Sequence, residues 1–129
     1  MSTMRKGSAL LALLLLAARP VFCVEFDLTA DGMRDIDDTT KSLNSNLATK
    51  NSKNALGEAQ EIAAFFLQVQ GYYEAKGNAQ DAVDYARKSH ELAGQIAKSV
   101  AANDLDAAAA TVSSLTRICK SCHNAYKTD

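Results

Sequence analysis

The chain has 129 residues, of which 47% are hydrophobic and 22% charged, with a formal net charge of −1. That length suits one small domain with a modest core. A balance so close to neutral leaves no basic footprint for nucleic acid.

The first feature in chain order is a targeting pattern. Arg5 and Lys6 precede an unbroken apolar run at 9–18 (ALLALLLLAA), Arg19-Pro20 breaks it, and polar sequence begins at Glu25. A short positive region followed by a short apolar one is the layout of a secretory signal peptide. The run is far shorter than the ~20 residues a membrane-spanning helix needs. Cleavage after Cys23 is expected, with Val21 and Cys23 at the small-residue positions in place of the usual alanines. It would remove residues 1–23 and with them the odd third cysteine, and Phe22 is too bulky for a lipoprotein signal at Cys23. The expected mature domain is 24–129, exported to the periplasm with no membrane span. The lost segment holds Arg5, Lys6 and Arg19 but no acid, so the mature chain is the more acidic, suiting a partner with a basic patch.

The rest reads as helices. The only proline is Pro20, and 24–129 is rich in good helix formers. A first helix is predicted over 30–48, with Met33, Ile36, Leu43 and Leu47 on one stripe, Thr29 as N-cap and Asp31 in the first turn. A second, over 55–76, carries Ile62, Phe65, Phe66, Val69 and Tyr73 and stops at Gly77. Asn78 with Asp81 opens a third. Its stripe is Ala82, Tyr85, Ala86, Ser89, Ala93, Ile96 and Val100. Asn103 is read as the cap of a fourth, with Asp104 and Asp106 in its first turn. There Leu105, Ala108, Val112, Leu115, Cys119, Cys122 and Tyr126 step by alternating threes and fours. The links are short, at 49–54, 77–78 and 103, which forces successive helices antiparallel. The expected fold is all-α, an up-down-up-down four-helix bundle.

On the seam of the fourth helix lies Cys119-Lys120-Ser121-Cys122-His123, a C-x-x-C-H sequence, the attachment signature of c-type haem. Two thiols must reach the two vinyl groups of the porphyrin, and the adjacent imidazole must reach the iron from one face. On a helix, positions i, i+3 and i+4 share a face, so all three side chains can address one planar cofactor. A zinc site would need two more Cys or His ligands, and only Cys23 and His90 remain. A thioredoxin-like pair would need a βαβ context, which the helical pattern excludes. The expectation is one covalent haem c, with Cys119 and Cys122 as thioethers and His123 as proximal iron ligand.

The segment from Asp104 to Lys127, above all Cys119-Lys120-Ser121-Cys122-His123-Asn124-Ala125-Tyr126-Lys127, resembles the C-terminal helix of the cytochrome c-prime family. These class II c-type cytochromes carry C-x-x-C-H at the end of the chain, followed by an aromatic and a basic residue. The resemblance implies a haem-bearing four-helix bundle and a possible homodimer through the first two helices. Lys127 stands where the family usually has arginine.

The second axial position decides function. In an antiparallel bundle the fourth helix ends where the first begins. At 1.5 Å per residue, His123 and Met33 each sit roughly 5–6 Å from the same end. Met33 is the only methionine in 24–129 and is the candidate distal ligand; its bland role is core packing. His90 is expected about 10 Å off that level, as a half-exposed surface histidine. Ile36, Tyr73 and Tyr126, with Val69, Tyr72, Ala82, Tyr85 and Ala86, are the expected pocket wall. The acids Asp31, Asp35, Asp37 and Asp38 read as a solvated helix face. No nucleophile–base pair is present, so no enzyme activity is expected. The expected role is a single-electron carrier between periplasmic redox partner proteins; the alternative is a five-coordinate protein binding NO or CO.

Overall fold

The structure is a computed structural model that describes residues 26–126. Residues 1–25 and 127–129 lie outside it, and with them the signal segment, Cys23 and Lys127. Four helices follow one another: α1 (Ala30–Ala48), α2 (Ser52–Lys76), α3 (Gln80–Ala101) and α4 (Leu105–Tyr126). The described residues contain no strand and no helix long and apolar enough to cross a membrane.

Neighbours in sequence are neighbours in space, and α4 returns to α1 to close a four-helix bundle. The pairing is antiparallel. Between α1 and α2, Asn46 meets Glu58 and Gly32 approaches Phe65, so one helix ascends as the other descends. The fully buried large side chains include one from each helix: Leu43, Ile62, Ile96 and Leu115. Each lies on the predicted stripe of its helix. Leu92 and Val83 are buried too, making the apolar face of α3 wider than the predicted stripe.

The helix ends explain the turns. Thr29 accepts the Gly32 amide at 3.0 Å and starts α1 where expected. Gly77 ends α2 in the left-handed region at φ 73°, a conformation that glycine adopts without a Cβ penalty. Three expectations shift. Helix α2 starts a turn earlier than predicted, because the Asn51 side chain accepts from Asn54 N and caps it. Asn78 is not a cap: Ala79 holds that position without a side-chain bond, and the Asp81 carboxylate accepts Ala82 N instead. At α4 the cap is Asp104, whose Oδ1 accepts Ala107 N at 3.0 Å, while Asn103 turns the chain at φ 58°. A positive φ suits asparagine better than most residues, which is why Asn103 serves the turn and its neighbour the cap.

The α1–α4 seam is the least intimate of the four. Helix α1 is held mainly by α2. Phe26, just ahead of α1, packs edge-on against Phe65 (5.7 Å) and Tyr72 (6.5 Å). At the other end, Ser42 and Asn46 donate to the Glu58 carboxylate. Between those anchors, α1 faces α4 across a gap.

Candidate haem-binding cleft

That gap is a cleft of about 430 Å³. Helix α1 lines it with Met33, Ile36, Asp37, Thr40, Lys41 and Asn44, at the spacing of one helix face. Helix α4 lines it with Val112, Ser113, Thr116, Cys119 and His123, and Phe66 of α2 closes the floor. Met33 and His123 therefore open onto the same space from opposite helices, with Cys119 one turn from His123. Both are half-buried.

Thr40 Oγ1 donates to the Ile36 carbonyl at 2.8 Å and Thr116 Oγ1 to the Val112 carbonyl at 3.0 Å, so both hydroxyls are satisfied within their own helices. At the mouth, Lys41 Nζ pairs with Asp37 at 2.7 Å and Asp38 at 3.1 Å. The Asp37 carboxylate, then Asp38, holds the Lys41 ammonium above its usual range. The acidic run of α1 is thus a solvated face with its own counter-ion.

The two thiols are free and half-buried, and they diverge. Cys119 opens onto the cleft. Burial, then the Cys122 and Asp37 charges, pushes its thiol up to about 11. Cys122 is raised by burial and then by Asp81, and it lies one turn before Tyr126, whose hydroxyl bonds Asp81 at the start of α3. At neutral pH both groups are therefore protonated thiols.

Of the expected wall residues, Ile36 lines the cleft. Tyr73 and Tyr126 do not; their rings pack against each other at 5.6 Å on the Cys122 side, and the Tyr126 hydroxyl donates to Asp81. Val69, Tyr72, Ala82, Tyr85 and Ala86 also stay out of the lining. Phe66 was legible as core but not as the cleft floor. The polar positions Thr40, Lys41, Asn44, Ser113 and Thr116 were missed, although they continue the helical spacing from Met33 and His123. His90 is half-buried against α2, with Nδ1 2.7 Å from the Ala63 carbonyl, and has no part in the cleft.

The donors are those a covalently held haem would use. An imidazole, a thioether and the Cys119 thiol line one cleft of mixed polar and apolar walls, and the Cys122 thiol, next to the imidazole in sequence, lies outside that lining. Among the described residues no group of three or more His, Cys, Asp or Glu is arranged to hold a bare metal ion, and an iron carried by a porphyrin does not need one. No protein-family model, curated protein or solved structure matches this chain. The functional reading rests on the chain's own residues.

Proposed function

We propose that this protein is an exported c-type cytochrome that binds one covalent haem and carries single electrons between periplasmic redox partners. The observation that carries the reading is the opposition of Met33 and His123 across one cleft, with Cys119 beside His123. The bound haem would supply a one-electron iron couple. The protein's part is to hold it. Cys119 and Cys122 would hold the ring edge to α4 through thioether bonds to its vinyl groups. His123 would bind iron from the α4 side and Met33 from the α1 side. Methionine paired with histidine raises the potential of haem iron, which suits a carrier between higher-potential partners. Ile36, Phe66 and Val112 would exclude water from the ring faces.

Denaturation in acid acetone tests attachment, with haem expected to stay on the chain and loss into the organic phase contradicting it. The axial pair has its own test. The oxidised protein should be low-spin, with the long-wavelength absorption band of methionine–iron ligation. Met33→Leu should make it high-spin and open to CO with little loss of fold, because the side chains are near-isosteric. A wild-type protein already high-spin and quick to take up CO would mean that Met33 only packs. The gas-binding reading would then replace electron carriage. Export predicts a soluble periplasmic protein whose N-terminal sequence begins near Val24.

A further inference from the structure

The attachment residues lie where a helix is weakest. Cys122 and His123 belong to the last turn of α4, which ends at Tyr126. Terminal turns fray because their carbonyls lack intrahelical partners. The end of α4 does not project freely, however. The Tyr126 hydroxyl donates to the Asp81 carboxylate in the first turn of α3. Asp81 Oδ1 also accepts the Ala82 amide at 3.0 Å, which fixes the carboxylate at the helix start. The Tyr126 ring in turn packs on Tyr73, in the last turn of α2, at 5.6 Å, and Tyr73 packs on Tyr72 at 5.2 Å. Three helix ends meet here, and Cys122 sits among them, near enough to Asp81 and Tyr73 to share their electrostatics.

We propose that Asp81 and Tyr126 form a positioning latch that holds the last turn of α4, and with it Cys122 and His123, against the α2–α3 end of the bundle before haem arrives. The latch rests on the haem reading for its purpose but not for its existence. It acts through the motif rather than on the cofactor: a motif already helical presents thiols and imidazole on one face, so no ordering cost falls on the attachment step. Neither residue lines the Met33–His123 cleft, so the latch holds α4 without occupying the space that the ring would fill.

The full chain, produced without haem, provides the first arm of the test. Amide exchange across 118–126 should quicken by roughly five- to tenfold in Tyr126→Phe and in Asp81→Ala, the loss of one hydrogen bond. The double variant should exchange no faster than either single one, because both remove the same bond. Peptides from α1 should be unchanged. The Tyr126 phenol should also show a hydrogen-bond-donor signature in ultraviolet resonance Raman that disappears in Asp81→Ala and returns in Asp81→Glu. A merely structural residue would not produce that rescue. The second arm loads the chain with haem. The latch variants should yield a lower fraction of doubly attached haem and more singly attached product, the missing bond being at Cys122. Additive exchange effects, or an unlatched Raman signature in the wild type, would overturn the latch whatever the chain binds. Intact latch signatures in a chain that takes no haem would overturn the haem reading alone. Equal attachment in wild type and variants would overturn the claim that the latch serves the motif.

Discussion

Cys119 and Cys122 share a helix face, yet they occupy different surroundings, and their chemistry should separate accordingly. In the haem-free chain, burial pushes the Cys119 thiol from an ordinary 9.0 to about 11. Iodoacetamide should therefore label it slowly at pH 8, with the rate climbing steeply toward pH 11. The more exposed Cys122 should react first, as mass mapping of partial products would show. The same shift has a consequence for stability. A thiol harder to ionise in the folded state makes the unfolded chain release its proton first as pH rises. The contribution is complete below pH 9 and is lost as pH climbs toward 11. Tyr126, raised to about 12 chiefly by its bond to Asp81, extends the decline. Urea midpoints of the haem-free protein should fall across that window, and Cys119→Ser should flatten the lower part of it. A midpoint constant from pH 8.5 to 11 would show that the thiol is freely hydrated.

At the scale of elements, the helix ends give the sharpest tests. Gly77 lies at φ 73° with open space around a notional Cβ, so alanine there would meet only the backbone penalty. Gly77→Ala should cost about 1 kcal/mol, which for a domain near 100 residues lowers the melting temperature by roughly 4–8 °C. Asp104→Ala removes the α4 cap and should cost a similar ~1 kcal/mol, whereas Asn103→Ala loses no cap bond and is penalised only through its left-handed backbone. Thermal melts of the three variants would decide between the caps, because a larger loss at Asn103 than at Asp104 would reverse the assignment. These ends also show what the sequence could reveal. The four helices and their buried stripes were legible because apolar residues recur at one period, and period is local. Thr29 and Gly77 were legible because each is the one good candidate at its boundary. Asn103 and Asp104 stand side by side, both competent caps, and only the turn geometry separates them. The cleft was half legible. The bundle's antiparallel levels place Met33 opposite His123, but a level says nothing of azimuth. That is why Tyr73 and Tyr126, correct in height, lie on the Cys122 side instead of in the cleft.

Across the whole molecule, the distribution of packing matches the place where a cofactor would enter. Helices α2, α3 and α4 pack closely in succession, while α1 is tied to α2 by the Phe26–Phe65 contact at one end and Glu58 at the other. Its third side, bearing Met33, looks across the cleft at α4. A haem bound to both Met33 and His123 would bridge that seam and close the ring of helices with a covalent and coordinate link. Binding that favours the folded state slows local opening in proportion to the contacts it adds. Amides of the first half of α1 should therefore exchange much faster than those of α3 in the haem-free chain. They should approach the α3 rate once haem is attached, a gain on the order of a hundredfold if the bridge contributes ~2.7 kcal/mol locally. Met33→Leu should keep the haem on α4 and lose most of that gain, since the ring would then be held from one side. Phe26→Ala should speed α1 exchange in both forms, because the aromatic anchor lies outside the cleft. If α1 were already as protected as α3 without haem, the seam would be closed by packing alone, and the cleft would have no structural need of a ligand.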